Sequence, residues 1–410
     1  MTEKEFQELK EEWKKLISNT TKDSYAFFIE PTNDLQSLIT LLLKYQKTGD
    51  GENYHKTNNL FFSKKSRWGF CGVDLSKLDL SMLSADSLAR ITFDSETIWP
   101  PKDKLPKDFN PLDILKQAKT NKGLGIESLH KQGINGKGVK VAYIDKNFDV
   151  EHEEFEGRKI EYIRDQDGRE RYDFHGYAVT SRLIGKNIGI APEVDMLYLS
   201  YNDGNILTIL KKELQSLNEI LNRLKNGEKI VAVGISASID YHIKLVIKNN
   251  ETTQEEICKL AKIYDDLKQQ LKNYGCMIID STQFFESGFS YAFKNKPLAD
   301  NSDIDNYVQF GKVDGRCSVI EAYKVVPSAY TKSGYKYENK TGSASWSIPQ
   351  VVGLYCLAKQ VEPDITYEEF VKISHATAYK ENTNGVRLIN PVELIKQVEL
   401  LKIQKNEKIV

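Results

Sequence analysis

The feature of this sequence that most constrains its fold is a series of short, uninterrupted apolar runs separated by segments with helical periodicity. The apolar runs are rich in β-branched residues and occupy residues 139–144, 230–235, 277–279 and 319–326. The helical segments cover residues 175–186, 205–225, 252–273 and 346–360. Strands that are apolar on both faces are typical of a parallel sheet covered by helices on each side. The pattern predicts an α/β domain with a mostly parallel central sheet over about residues 120–400.

The residues before this pattern are organised differently. Residues 3–18 place Phe6, Leu9, Trp13 and Leu16 on one face of a charged helix, and a second apolar helix is predicted near residues 35–45. Two interpretations of the first helix remain: it binds a partner protein, or it packs against the rest of the domain to which it belongs. Because a chain of 410 residues exceeds the usual size of one core, we expect a smaller mixed N-terminal accessory domain at residues 1–115.

Two further segments belong to this N-terminal region. Residues 73–97 have a five-residue period that resembles pentapeptide repeats, in which Leu side chains point inward. The run amounts to about one coil, which is too little to bury a core alone, so it is expected to pack on neighbouring structure. Four prolines between Pro100 and Pro111 predict a linker at about residues 100–115.

Charge and cysteine content narrow the classes of function. The 57 basic and 58 acidic side chains give a net charge of −1, which favours neither nucleic acid nor a membrane surface as partner. The charged N-terminus has no apolar signal region, and no segment reaches the roughly 20 apolar residues that span a bilayer. Five scattered cysteines without a CxxC pair indicate buried thiols in a reducing compartment and no zinc site. We expect a cytoplasmic protein.

Three junctions between strand, loop and helix carry polar residues that suit chemistry. Asp145 follows the apolar run 139–144, and in open α/β sheets ligands bind at the carboxyl ends of the strands. Such an Asp is either a turn former or a functional carboxylate. His175 precedes a helix with Val179, Leu183 and Ile184 on its core side, where a helix N-terminus favours a neutral imidazole. A buried structural histidine is the alternative.

The third junction is the segment TGSASWSIPQVVG at residues 341–353. Small residues lead into an apolar helix whose first turns contain Pro349, a position at which proline is tolerated. A serine at the start of a helix lies where free N–H groups can bind an oxyanion. From the residues alone, Ser343, Ser345 and Ser347 all remain candidates, and a simple helix cap is a further alternative.

These three segments resemble the motifs of the subtilisin-like serine peptidases. Residues 139–152 match V-x-V-A-x-I-D-x-x-x-D-x-x-H, and residues 175–192 match the His motif with the following G-[IV]-A-P. Residues 345–353 match S-x-x-x-P-x-V-x-G, and counting four back from Pro349 selects Ser345. The motifs occur in the family's order, Asp, His, Ser, at separations of 30 and 170 residues.

The resemblance implies a subtilisin-like three-layer α/β domain of the intracellular bacterial type. It also implies that the protein is a serine endopeptidase with a catalytic triad. Ser345 would attack a peptide carbonyl, His175 would transfer the proton, and Asp145 would orient the imidazole. The substrate would be a protein or peptide, and residues 1–115 would bind a protein partner or restrict access. No cofactor is expected, although calcium sites are common in this family and none can be assigned here.

Several positions depart from the family pattern. Ser343-Ala344 stands where the family has Gly-Thr, and Tyr177-Ala178 follows Gly176 where a second His is often found. The family's oxyanion Asn has no clean match, and Gln283 in residues 275–285 is the nearest amide. A pseudoprotease that binds peptides or regulates a partner is therefore the alternative function.

Overall fold

A computed structural model gives the structure of the protein for residues 70–71, 75–76, 80–81, 85–89, 92–116, 123–165, 173–202, 204–294, 299–300, 302–309, 315–320, 325–327, 333–337 and 344–407. These residues belong to two compact units. The smaller unit contains the described residues up to Lys116 together with residues 334–337, and the larger contains the rest. The helices predicted at residues 3–18 and 35–45 lie outside the described ranges.

The smaller unit is held together by an aromatic cluster. Its elements are α1 (Ala85–Leu88), β1 (Phe93–Asp94), a 3-10 turn (Lys102–Lys104), α2 (Pro111–Lys116) and β11 (Tyr335–Tyr337), which pairs with β1 in antiparallel register. The Phe93 ring lies 5.2 Å from that of Trp99 and 5.0 Å from that of Tyr337. The Phe93–Trp99 contact is edge-on, and aromatic pairs of this geometry add about 0.5–1.5 kcal/mol to the free energy gained by burial.

Residues at five-residue spacing are buried along the predicted pentad segment. Phe70, Leu75 and Leu80 are at most 2% exposed. Their N–H groups donate to the carbonyl oxygens of Thr92, Ile98 and Lys104 over 2.7, 2.7 and 2.8 Å. Residues 72–74 and 77–79 lie outside the described ranges, so the resemblance to pentapeptide repeats stays a prediction.

The proline-rich stretch is folded onto the smaller unit. Phe109 is buried, and its ring lies 5.2 Å from that of Trp99 and 6.1 Å from that of Phe93. Lys102–Lys104 forms a turn, and Pro111 is the first residue of α2, where a missing N–H costs nothing. One buried aromatic side chain therefore anchors this stretch to the smaller unit, and its role as a linker stays a prediction.

The larger unit is built on a parallel sheet. In the described part of the chain its strands are β2 (Lys140–Lys146), β3 (Lys159–Ile163), β4 (Asp195–Tyr201), β5 (Ile230–Ile235) and β6 (Met277–Ile279). Their order is β3-β4-β2-β5-β6, and every neighbouring pair is parallel. The strands β3 and β4 lie on one side of β2, and β5 and β6 lie on the other. Open α/β sheets form ligand-binding crevices at the strand ends where the strand order reverses in this way.

Helices and a second sheet complete this unit. The helices are α3 (Ile126–Lys131), α4 (Phe174–Ile184), α5 (Ile206–Lys225), α6 (Ile239–Lys248), α7 (Gln254–Asn273), α8 (Ser281–Glu286), α9 (Ala344–Val361), α10 (Tyr367–Thr377) and α11 (Pro391–Glu407), with 3-10 turns at Glu153–Phe155 and Ile304–Asn306. The second sheet has the order β12-β9-β7-β8, with β7 (Phe289–Lys294), β8 (Tyr307–Gln309), β9 (Cys317–Ile320) and β12 (Arg387–Leu388). A further strand is β10 (Val325–Pro327).

The central sheet is buried on both faces. Val141 and Tyr143 of β2 belong to one apolar core, and the alternating Ala142 and Ile144 belong to another. The first core contains the apolar sides of α4 and α9, and the second contains those of α5 and α7. The predicted α/β class, with a mostly parallel sheet and helices on both faces, is confirmed for this unit.

Each predicted strand and helix of this unit corresponds to an observed element, but several observed elements, among them β3, β4, α6, α10 and α11, were not predicted. The run at residues 319–326 is divided between β9 and β10, and residues 321–324 between them lie outside the described ranges. The ten-residue helix α6 was not predicted; it begins where the Ser238 hydroxyl accepts the Tyr241 N–H. No helix in the described ranges has the length and apolarity needed to cross a membrane.

The four motif residues Ser345, Pro349, Val351 and Gly353 all lie on α9, and Gly353 has a packing role. A Cβ atom at Gly353 would come within 2.7 Å of the Ile190 Cβ and 3.4 Å of the Leu183 side chain. Both neighbours are buried, so neither has space to move away. The glycine therefore permits the close approach of α9 to α4 and to the segment after it.

We predict that Gly353→Ala destabilises the protein by about 1–3 kcal/mol, because the added methyl overpacks this contact. Urea denaturation followed by circular dichroism measures the effect. Helix propensity alone would make the same substitution stabilising by about 0.5–1 kcal/mol, so the sign of the change decides. A stabilised variant would contradict the packing argument.

Candidate active site

Asp145 and His175 meet at the carboxyl end of the central sheet. Asp145 is the penultimate residue of β2, and His175 is the second residue of α4. The His175 Nδ1 lies 2.6 Å from Asp145 Oδ1, a short contact typical of a charge-assisted hydrogen bond. The prediction that Asp145 stands at the end of a buried strand is confirmed.

The local sequence explains why α4 begins beside β2. The Asp173 side chain accepts the His175 N–H over 2.8 Å and so caps the helix. A Cβ atom at Gly176 would lie 2.3 Å from the Lys146 carbonyl oxygen, closer than any side chain tolerates. Glycine at this position lets the first turn of α4 touch the end of β2 and brings the imidazole to the carboxylate.

The carboxylate of Asp145 is almost fully enclosed. Asp145 is 1% exposed, and its Oδ1 also accepts the Lys146 N–H over 2.8 Å. Burial, together with the charge of Asp145, raises the pKa of Tyr198 and Tyr201 well above the ordinary value. These phenols therefore stay neutral. When His175 is protonated, its imidazolium is the positive charge that is hydrogen-bonded to the Asp145 carboxylate.

The hydrogen bond fixes which nitrogen of His175 is free. Because a carboxylate only accepts, Nδ1 carries the proton and Nε2 of the neutral ring is a base. Burial lowers the pKa of His175, but the charge and hydrogen bond of Asp145 outweigh it, so the pKa is raised above its ordinary value. The imidazole side chain remains 26% exposed and can reach a bound molecule.

Ser345 is the second residue of α9 and is bound to the end of β5. Its hydroxyl donates to the Ser236 carbonyl oxygen over 3.1 Å, and the Ser236 hydroxyl donates to the Ser345 carbonyl oxygen over 2.9 Å. In a regular helix the Ser345 carbonyl would accept from residue 349. That residue is Pro349, which has no N–H, and Ser236 fills the vacant place.

The structure distinguishes two of the three candidate serines. Ser345 is half-buried, whereas Ser347 is fully buried and its hydroxyl has no hydrogen-bond partner within the described ranges. Ser343 lies outside those ranges. The ring of Trp346, the residue after Ser345, lies 5.2 Å from the ring of His175. The structure therefore brings the start of α9 next to the Asp145–His175 pair.

The described hydrogen bond of the Gln283 amide runs to Ser287, and its predicted reach to the oxyanion site beside Ser345 stays a prediction. Asp280 caps α8 by accepting the Gln283 N–H over 2.8 Å, and the Gln283 amide then donates to Ser287, four residues on, over 3.0 Å. Residues four apart share a helix face, which is why this contact forms. Gln283 lines a cavity of about 320 Å³ whose described lining includes none of Asp145, His175 and Ser345.

Two polar features were missed by sequence analysis. Glu213 on α5 is fully buried, and its Oε2 lies 2.8 Å from the His242 Nδ1 on α6. Burial raises the pKa of Glu213, and the hydrogen bond and charge of His242 oppose the rise. The sequence does contain a signal for this buried carboxylate, because Glu213 falls on the apolar face of α5 beside Leu210, Leu214 and Leu217. The second feature is Asp280, which follows β6.

Two further kinds of site are a cluster of metal-binding side chains and an accessible thiol. The described ranges contain no group of three or more His, Cys, Asp or Glu side chains that could hold a metal ion. Cys71, Cys276, Cys317 and Cys356 are buried, and Cys258 is exposed. Burial raises the pKa of Cys276 and Cys317 to about 12, so these thiols are not ionised at neutral pH.

Comparison with solved structures finds proteases of similar fold. The prenylagaramide maturation protease PagA is 14% identical over 67% of this chain and 98% of its own, with a TM-score of 0.43. A structure of the subtilase cytotoxin SubAB assembly is 13% identical over 68% of this chain and 96% of its own, with a TM-score of 0.46. The patellamide maturation protease PatG is 13% identical over 66% of this chain and 92% of its own, with a TM-score of 0.41. No family model and no curated protein match the sequence.

We predict that Asp145→Asn lowers the pKa of His175 below about 6.5, because the substitution removes the raising charge and leaves the burial. A two-dimensional NMR titration of the imidazole, assigned with His175→Gln, measures it. Asp173→Asn is the matched control, and a smaller fall is expected because Asp173 contributes less to the raised pKa of His175.

The same pair makes stability depend on pH. Because the folded-state pKa of His175 is raised, the pair stabilises the fold fully below the unfolded pKa of about 6.5. This contribution is lost as the pH rises through the raised pKa. An unchanged His175 pKa in Asp145→Asn would show that the carboxylate does not control the imidazole.

Proposed function

We propose that this protein is a serine endopeptidase that hydrolyses peptide bonds through Asp145, His175 and Ser345. The observation that carries the proposal is the 2.6 Å hydrogen bond between Asp145 and His175, placed beside the start of α9. A buried carboxylate that fixes the tautomer of a partly exposed imidazole is the arrangement that general-base activation of a serine needs. The subtilisin-like motifs in the sequence support the same assignment.

In the proposed reaction His175 Nε2 accepts the Ser345 hydroxyl proton as Oγ attacks the substrate carbonyl carbon. The tetrahedral intermediate collapses when the imidazolium gives that proton to the leaving amine, and an acyl-serine forms. Water then loses a proton to His175, attacks the ester and releases the acid, while Ser345 regains its proton. Asp145 keeps its charge throughout and stabilises the imidazolium. No step is assigned to a metal or an organic cofactor.

The reaction requires one local change. In the structure the Ser345 hydroxyl donates to Ser236, so it has to turn toward His175 before it reacts. The Ser236 carbonyl then becomes free to accept an N–H of an extended substrate along residues 236–238. Backbone pairing of this kind recognises a peptide with little dependence on its sequence.

Backbone N–H groups are the proposed donors to the oxyanion. The first N–H groups of a helix have no partner within the helix, and Ser345 lies in the first turn of the 18-residue α9. The dipole of a helix favours negative charge at this end. This assignment replaces the amide of Gln283, which donates to Ser287.

A peptide-binding or regulatory pseudoprotease is the second candidate function. The observation that favours it is the Ser345 hydroxyl itself, whose hydrogen bond runs to Ser236. In such a protein the site would hold a peptide without cleaving it.

We further propose that residues 1–115 form an accessory domain that the active protein retains in the cytoplasm. The aromatic cluster of Phe93, Trp99 and Phe109, which Tyr337 joins, forms a core in the unit that holds the described part of this region. Such a domain would bind a protein partner or limit access to the site. An autocleaved propeptide is the alternative.

We predict that Ser345→Ala, His175→Ala and Asp145→Ala each reduce peptidase activity at least roughly 10³-fold, because the three side chains act as a unit. Cleavage of a fluorogenic casein measures the rate, and thermal melts check that each variant is folded. Ser347→Ala is the matched control: the same change of residue two positions along α9 should leave activity within about threefold. Full activity of Ser345→Ala would exclude the proposed nucleophile.

Intact-mass spectrometry of purified active protein tests the retained domain. We expect the full-length mass, since the described part of the region belongs to a unit with a packed core. A shorter species that begins near residues 105–130 and is absent from the Ser345→Ala preparation would identify a propeptide instead.

A further inference from the structure

The cavity between α7, β6 and α8 has an unusual buried carboxylate in its lining. Asp280 is 2% exposed and lines this cavity of about 320 Å³. Its Oδ1 accepts the Gln283 N–H over 2.8 Å, whereas no hydrogen bond of good geometry reaches its buried Oδ2 within the described ranges. A buried carboxylate oxygen without a partner is costly, and such groups are rare unless a ligand satisfies them.

The charges around Asp280 favour a cation. Four carboxylates line the cavity, those of Asp240, Asp265, Asp280 and Glu286, against the two ammonium groups of Lys268 and Lys272. Burial and the charge of Asp240 raise the pKa of Asp280 to about 6, while the Gln283 and Ile239 N–H groups and Lys268 oppose the rise. The carboxyl therefore remains largely ionised at neutral pH and can pair with a positive charge.

The two lysines already have other partners. Lys268 lies 3.8 Å from Asp265 and over the ring of Tyr264, and Lys272 pairs with Glu368, which does not line the cavity. The remaining walls include Tyr264, Met277 and Ile278, which offer an apolar surface. A long aliphatic stem with a cationic end matches this combination of apolar walls and a carboxylate.

The cavity is connected to Ser345 by a short stretch of backbone. Ser345 donates to the Ser236 carbonyl, and one residue further the Ala237 carbonyl accepts the Ser281 N–H over 2.8 Å. The Ser238 hydroxyl then lies 2.6 Å from that of Thr282, which lines the cavity. Two residues of chain span at most about 7 Å, so the cavity lies close to a peptide bound near Ser345.

We propose that this cavity takes the Lys or Arg side chain of a peptide lying along residues 236–238, with Asp280 as the partner of its cationic group. The inference rests on the proposed peptidase function for the identity of the ligand. It makes Asp280 a specificity-determining residue, since an isosteric uncharged side chain would leave the carboxylate unpaired.

The binding test uses the Ser345→Ala protein, which separates recognition from cleavage. Fluorescence anisotropy compares two labelled hexapeptides, alanine throughout except for a central Lys or norleucine. We expect the Lys peptide to bind at least tenfold tighter, and Asp280→Asn in the same background to remove the difference. Asn keeps the oxygen that caps α8, so the helix start is retained. Asp266→Asn, an exposed carboxylate on α7 outside the cavity lining, is the control and should keep the difference.

Equal affinity for the two peptides would overturn the inference, as would an Asp280→Asn variant that weakens both equally. If that variant does not fold, Asp240→Asn should reduce the preference about two- to fivefold, and an unchanged preference would count against the proposal. Cleavage profiling of proteome-derived peptides with the wild-type protein gives a separate readout, with cuts enriched at Lys and Arg. A protein that binds the Lys peptide selectively but cleaves nothing would contradict the peptidase function and leave the role of Asp280 supported.

Discussion

The larger unit depends on the two hydrogen bonds that join Ser236 at the end of β5 to Ser345 at the start of α9. The bond from the Ser236 hydroxyl is possible because Pro349 cannot donate to the Ser345 carbonyl, which leaves that acceptor free. That hydroxyl has a single proton, so the Tyr143 hydroxyl, 2.6 Å away, must donate to its oxygen. Tyr143 lies on β2 two residues before Asp145, and the candidate nucleophile is thereby tied to the strand that carries the carboxylate.

Close packing positions the histidine in the same way. Gly176 brings α4 onto the end of β2, and Gly353 brings α9 onto the segment that follows α4. At both places a single methyl group would push the elements apart.

Asp280 has a cost for the stability of the same unit. A buried carboxylate oxygen without a partner destabilises the fold unless a ligand supplies the missing charge.

Sequence analysis predicted the features that are local or periodic. Strands that are apolar on both faces identified the parallel sheet, and Asp145 could be placed because it ends such a run. The Glu213–His242 pair and the lining of the cavity could not be predicted, because each depends on contacts between separate helices. The hydrogen bond from the Gln283 amide to Ser287 could not be predicted, because only the structure shows that Asp280 starts a helix there.

The identity of the nucleophile can be established by covalent labelling of the serine. The native protein, and separately His175→Ala and Ser347→Ala, would be treated with a fluorophosphonate and digested, and the modified residue mapped by mass spectrometry. The account predicts one adduct, on Ser345, in the native protein and in Ser347→Ala, and none in His175→Ala because the base is gone. An unlabelled native protein that is folded, or an adduct on another serine, would contradict it.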